Sequence, residues 1–290
     1  MYFTLKLMIM PCRPLLYLVI ALLLISCTSE GKPEGQDATS EASTNEFATF
    51  SSFDGEQIAY FDEGEGPAVM LLHGFINSAA SWEGTELKKQ LRAQGFRIIV
   101  PDLRGNGNSA KPQTDTGYAD FAEIKDLQAL ADHLKLEEYM AVGYSRGSIL
   151  LANLLTREPR ISRAIIGGMG IDFTNPDWPR RIQFADAFSG VVALTPETEG
   201  AVNYAKSINA DLRSLHLQQK HQPSTSPDAL REVSIPIMVL VGNDDKDNGD
   251  PGQLERLFPN GRLNIIPGDH NTTYRKGVFA AATMAFLKGG

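Results

Sequence analysis

Cysteine is scarce: two in 290 residues, at Cys12 and Cys27. Lys and Arg number 27 against 35 Asp and Glu, a formal net charge of −8. That deficit of positive charge excludes a sequence-independent grip on phosphate backbones, so nucleic acid is not an expected partner. Internal repeats are absent, and low-complexity sequence is confined to one short stretch near the N-terminus. What is present, 42% apolar and 21% charged residues over 290 positions, is the balance of a globular chain long enough to bury a sizeable core without disulfides.

The first 26 residues differ from the rest. Lys6 and Arg13 are their charges, and Leu15 to Ile25 is an unbroken apolar run of 11 residues. A bilayer span needs about 20. A basic start, a short apolar stretch and a small residue at its end are the parts of a secretory signal peptide, expected over residues 1–26. The order Leu24, Ile25, Ser26, Cys27 resembles a bacterial lipobox, in which cleavage falls before the cysteine and that cysteine carries the lipid. Cys12 is then discarded and Cys27 modified, which leaves no internal disulfide. Thr28 after the cysteine resembles the outer-membrane pattern, so the expected location is the cell envelope, lipid-anchored and facing the periplasm. From Thr28 to Glu46 the residues are Ser, Thr, Gly, Pro and acids without a large apolar side chain. Residues 27–46 read as a lipidated, disordered acidic tether.

Folded sequence is expected over 47–290. FATFSSF and EQIAYF flank Asp54-Gly55, a dipeptide suited to a tight antiparallel hairpin. Short continuous apolar runs then alternate with amphipathic stretches: 68–72, 96–100, 139–143, 164–168, 236–242 and 263–266. Such runs are buried on both faces, as in a parallel sheet covered by helices. Phe121, Ile124, Leu127, Ala131 and Leu134 recur at helical spacing, as do Ile149, Leu150 and Leu154, and Val278, Phe279, Ala282 and Phe286. The expectation is an α/β domain with about eight mostly parallel strands. Residues 172–232 contain no strand-like run and read as a small helical lid inserted between strands.

Gly143, Tyr144, Ser145, Arg146 and Gly147 form G-x-S-x-G between an apolar strand and a helical stretch. A turn sharp enough to project the serine hydroxyl brings the positions two residues either side too close for a Cβ, which is why both are glycine. A serine needs a base, and the chain has five histidines. His133, His216 and His221 lie on amphipathic or inserted segments and read as solvated or packing residues. His73 ends a strand before Gly74 and reads as loop-shaping. His270 follows the last strand, where loops from the carboxyl ends of parallel strands converge, and is the expected base. Its acid partner comes from NDDKDNGD after run 236–242: Asp245 first, Asp244 second, with Asp172 after the preceding strand as a third candidate. The same cluster imitates a calcium loop at Asn243, Asp245 and Asp247, but its sixth position is Asn248 and its twelfth Leu254, so no metal is expected. Backbone amides of Phe75 and Arg146, after the first parallel strand and after the nucleophile, are the expected oxyanion donors.

HGF (73–75), DLRGNGNS (102–109), GYSRGS (143–148), VGNDD (241–245) and GDH (268–270), in that order, resemble the α/β-hydrolase family from about residue 47 onward. The resemblance implies Ser145 as nucleophile, His270 as base, Asp245 as acid and the Phe75 and Arg146 amides as oxyanion hole, with no cofactor. It places Asp102 and Arg104 in a structural loop. Arg146 and Ser148 depart from the pattern, where relatives often carry an apolar residue and a second glycine. A serine nucleophile argues against the dehalogenase and epoxide-hydrolase branches, which use aspartate. The expected activity is cleavage of a carboxylic ester, the acyl pocket drawing on Trp178, Phe184 and Phe188. Acyl transfer, perhydrolysis or carbon–carbon bond hydrolysis use similar triads, and a non-catalytic binding lipoprotein is the reading from another class.

Overall fold

A computed structural model describes residues 47–289; the leader, Cys27 and the whole acidic tether lie outside the described residues. Eight strands form one sheet: β1 (Ala48–Ser51), β2 (Gln57–Glu63), β3 (Ala68–Leu72), β4 (Arg97–Pro101), β5 (Tyr139–Tyr144), β6 (Ile161–Gly167), β7 (Ile237–Gly242) and β8 (Gly261–Ile266), in the order β1-β2-β4-β3-β5-β6-β7-β8. β1 pairs antiparallel with β2 around the Asp54-Gly55 turn, and β2 antiparallel with β4; every other neighbour is parallel.

Alternation at period two sorts each apolar run onto two faces. Met70, Leu72, Ile99, Ala141, Ile166 and Val239 enter one core. There they meet Ile124, Leu127 and Leu130 of α2 (Ala122–His133) and Ile149 and Leu150 of α3 (Arg146–Leu154). Val69, Leu71, Ile98, Val100, Val142 and Leu240 enter the other. Their partners are Leu87 and Leu91 of α1 (Glu86–Ala93) and Phe279, Met284 and Phe286 of α9 (Gly277–Leu287). Helix α1 is half charged and offers two deep apolar side chains, too few for the periodicity to betray it; Thr85 starts it by accepting from the Lys88 amide. Run 263–266 departs from the expected two-sided burial. β8 is an edge strand, with Leu263 38% and Ile265 55% exposed.

The segment between β6 and β7 carries α4 (Pro179–Ser189), α5 (Pro196–Ser207), α6 (Leu212–Lys220) and α7 (Pro227–Arg231). It forms a lid with its own small core of Ala187, Phe188, Val202, Ala205 and Leu215 around Ile76 of the β3 loop. Short α8 (Pro251–Glu255) precedes β8. No helix among the described residues is long and apolar enough to cross a membrane.

Candidate active site

β3 pairs with β5 on one side and β4 on the other, so the loops leaving β3 and β5 part company and open a crevice at the carboxyl ends of the strands. Leu72 stands opposite Gly143. Ser145 follows two residues later at φ 53°, ψ −124°, in the left-handed half of conformational space, where a side chain costs about 1–3 kcal/mol. Two glycines permit that turn. A Cβ on Gly143 would lie 2.6 Å from the Gly147 carbonyl oxygen, and one on Gly147 would lie 2.4 Å from that of Leu72. Ser148, the departure from a second glycine, is fully buried and clamps the turn to β6: its Oγ donates to the Gly167 carbonyl and accepts from the Gly167 amide, both at 2.8 Å.

The loops after β7 and β8 meet this turn because the strands are neighbours, with Gly242 opposite Ile266. His270 Nε2 lies 2.9 Å from Ser145 Oγ, across 125 residues of sequence, and His270 Nδ1 lies 2.7 Å from Asp245 Oδ2. With the ring proton assigned to Nδ1, the carboxylate accepts it and the Nε2 lone pair faces the serine. The Asp245 side chain is 3% exposed. Asp244, the second candidate, is exposed, and its amide donates to the Gly268 carbonyl. Asp172, the third, lies against Gly249. Asp250 instead accepts from the Gly252 and Gln253 amides at the start of α8.

Sequence reasoning passed over two residues around His270. Tyr144 donates its hydroxyl to the His270 carbonyl oxygen at 2.7 Å, and burial raises its pKa. Asn248, buried, places Nδ2 3.3 Å from both the Gly168 carbonyl and His270 Nδ1. Both lie inside motifs that were recognised, as the x of G-x-S-x-G and within NDDKDNGD; neither spacing announces a contact with the histidine.

The remaining histidines have other partners. His73 is buried and holds two loops together, Nδ1 donating to the Gly74 carbonyl at 2.9 Å and Nε2 accepting from the Leu103 amide at 3.1 Å. Burial lowers its pKa from 6.5 to about 4, so it is neutral at physiological pH. His133 contacts the Tyr60 hydroxyl, His216 the Ala185 carbonyl and His221 the Asp115 carboxylate.

Phe75 and Arg146 flank Ser145 in the cleft. Arg146 opens α3, so its amide has no partner within the helix. Ile76, next to Phe75, is held at φ 53°, a strained conformation for a β-branched residue, and its side chain is buried under the lid. The Arg146 guanidinium is 2% exposed and turns away to pair through both Nη atoms with Glu123, Nη2 also donating to the Gln218 carbonyl of α6 at 3.1 Å. Asp102 and Arg104 are likewise structural. Asp102 accepts from the Ala79 and Asn108 amides, and Arg104 bridges Asp54 and Asp126.

Above the serine is a cleft of about 630 Å³, lined by Phe75, Ile149, Met169, Trp178, Phe184 and Tyr204 among others. Phe188, expected in that lining, lies behind it: it is buried in the lid core with its ring 5.3 Å from that of Phe75.

A family model described as alpha/beta hydrolase fold matches residues 67–246, a span that holds Ser145 and Asp245 and ends before His270. The chain belongs to the α/β-hydrolase fold family. Among curated members it is 34% identical over 127 residues to Epoxide hydrolase 3 of Siraitia grosvenorii, a match covering 43% of this chain and 39% of that protein. It is 26% identical over 250 residues to a non-heme haloperoxidase of Rhodococcus erythropolis, covering 74% of this chain and 89% of that one. Among solved structures, an esterase from Exiguobacterium antarcticum superposes with a TM-score of 0.69 at 20% identity, over 83% of this chain and 99% of that one. A hydrolase from Pseudomonas aeruginosa PA01 gives the same TM-score at 21% identity, over 84% and 98%. The chain spans about two fifths or less of several of the curated relatives it matches, and the relatives are named for several reactions.

Proposed function

We propose that this hydrolase cleaves carboxylic esters through an acyl-enzyme on Ser145. The observation that carries the reading is the serine itself, at the elbow, 2.9 Å from an imidazole whose far nitrogen meets a buried carboxylate. In the reading, Ser145 Oγ attacks the ester carbonyl while His270 Nε2 takes its proton, and Asp245 stabilises the imidazolium. Amides of Phe75 and Arg146 receive the developing oxyanion. His270 then protonates the departing alcohol, and the same ring deprotonates the water that releases the acid and restores Ser145. Epoxide opening, the activity in the name of one relative, suits a serine poorly. Serine attack on an epoxide carbon forms an ether, which water does not hydrolyse, whereas a carboxylate nucleophile forms a cleavable ester.

Fluorophosphonate labelling of residues 47–290, beside hydrolysis of 4-nitrophenyl esters, tests the reading. Ser145→Ala is expected to abolish labelling and lower turnover by as much as about 10⁶, and Asp245→Asn to lower it by about 10⁴, with folding intact. Robust turnover by Ser145→Ala would remove the nucleophile. Absence of labelling in a folded wild type would favour a non-catalytic binding protein on this scaffold.

The proposal includes a place for the enzyme. Cys27 carries lipid and the acidic stretch behind it spaces the catalytic domain from the bacterial envelope, a reading supported by the lipobox-like Leu24-Ile25-Ser26-Cys27. Cys27→Ser is expected to move the full-length chain from the membrane fraction to the soluble fraction or to leave an uncleaved precursor. A wild type that is soluble with a free Cys27 thiol would end it.

A further inference from the structure

The charges lining the cleft do not balance. Arg146, Arg180, Arg181 and Arg275 are its cationic lining residues and Glu197 its anionic one, though the Arg146 guanidinium turns away. Two of the four arginines are neutralised, Arg146 by Glu123 and Arg180 by Glu197 at 2.8 Å. Arg181, on α4, meets backbone carbonyls alone: those of Gln219 at 3.0 Å and Lys220 at 3.3 Å through Nη1, and that of Pro176 at 2.9 Å through Nη2. Its Nε–H and second Nη2–H remain for a ligand. Arg275, in the turn after His270, spends Nε on the Tyr274 hydroxyl at 2.9 Å, which leaves its whole Nη fork. Neither has a carboxylate partner among the described residues. Two positive charges therefore stay uncompensated in the cleft of a chain whose net charge is −8.

We propose that Arg275 and Arg181 form an anion-binding subsite that selects esters carrying an acid group remote from the scissile bond. The inference rests on the ester-cleavage reading for the chemistry and on the cleft alone for the binding. A guanidinium fork matches the paired oxygens of a carboxylate or phosphate, and a concave site with low-dielectric walls strengthens the attraction over what an open surface gives. The neighbouring aromatic side chains of Phe75, Trp178, Phe184 and Tyr204 suit the chain between the acid group and the ester. The substrate class is then an apolar ester with an anionic tail, not a neutral glyceride.

Trp82 and Trp178 are the chain's two tryptophans and both line the cleft, so intrinsic fluorescence reads binding without chemistry. In the Ser145→Ala background, which turns neither ester over, monomethyl adipate is expected to bind about tenfold more tightly than dimethyl adipate at low salt, with the advantage shrinking as sodium chloride is raised. Arg275→Gln, at an exposed position outside the core, should cut that advantage by about threefold to tenfold, and Arg275→Glu should cut it further. Arg181→Gln should act in the same direction; should it loosen the lid, the Arg275 variants decide. Hexyl phosphate against hexanol tells whether phosphate or carboxylate has the larger salt-sensitive advantage, and so which acid the subsite takes. Equal affinities for the charged and neutral members of both pairs, or an advantage untouched by both Arg275 variants, would overturn the subsite. Release of 4-nitrophenol from mono-4-nitrophenyl adipate and from its methyl-capped twin is the separate check on chemistry. Binding that favours the anion with no release from either ester leaves the subsite standing and removes the ester reading.

Discussion

At the scale of single residues, His270, the proposed base, is held from two directions. Asp245 fixes the ring, and Tyr144 fixes the backbone that carries it, through one hydrogen bond to the His270 carbonyl. Tyr144→Phe removes that bond and keeps the ring packing against Tyr274 and Phe279. We expect kcat to fall about tenfold with KM unchanged, the fluorophosphonate labelling rate falling in parallel and the melting temperature barely moving. A loss confined to KM, or a matching loss of stability, would assign Tyr144 to packing instead. Ser145, His270 and Asp245 were legible because each follows a strand, and strand ends in a parallel sheet converge whatever the distance in sequence. Tyr144 and Asn248 were not, because their contacts depend on the path of the loop that bears His270. Arg146 shows the same limit: its position beside Ser145 was plain, but its pairing with Glu123 needs α2 packed against α3.

At the scale of elements, the lid does more than cover the cleft. Its small core closes over Ile76, whose left-handed backbone is costly, and Phe188 stacks edge-on against Phe75, whose amide is assigned to the oxyanion. Packing of α4, α5 and α6 thus supports the strained turn that aims this donor. Phe188→Ala opens a cavity behind Phe75 without altering the cleft lining. It is expected to lower kcat by as much as roughly 10²-fold, since small misplacements of a catalytic donor cost that much. Two measurements check it: kcat against KM on a 4-nitrophenyl ester, and circular dichroism to establish that the helical content is kept. A variant with wild-type kcat would leave the lid a passive cover. The lid was visible in the sequence as a gap in the strand pattern, yet Phe188 was expected on its inner surface; helix rotation, set by the lid's own core, placed it one layer deeper.

At the scale of the whole molecule, buried ionisable groups tie segments distant in sequence. Arg104 joins the β1–β2 turn at Asp54 to α2 at Asp126. Burial by itself would lower its pKa, and the hydrogen bonds it donates to both carboxylates outweigh that and hold it above the ordinary value. His73 joins the β3 loop to the β4 loop and is the pH-sensitive member. Its folded pKa of about 4 lies below the free value of 6.5. Between these values the unfolded chain binds a proton that the folded chain does not. The contribution of His73 to stability is therefore intact above pH 6.5 and is lost as pH falls toward 4, by about 3 kcal/mol in all. His73→Gln keeps a donor and an acceptor without titrating. Urea midpoints at pH 7 and pH 4.5 should show the variant less stable at pH 7 but losing less on acidification; parallel losses would place the acid sensitivity elsewhere.

The chain's order of apolar runs, its glycines and its strand-end polar residues determined the sheet, the elbow and the three residues brought together there, because each depends on local geometry repeated down the sequence. Tertiary structure alone decided what surrounds them. Which carboxylate of NDDKDNGD turns inward, where Phe188 points and which arginines are left without a carboxylate follow from the packing of α2, the lid and the last loop. Those contacts join residues whose spacing in sequence carries no period, so only the folded chain brings them within reach.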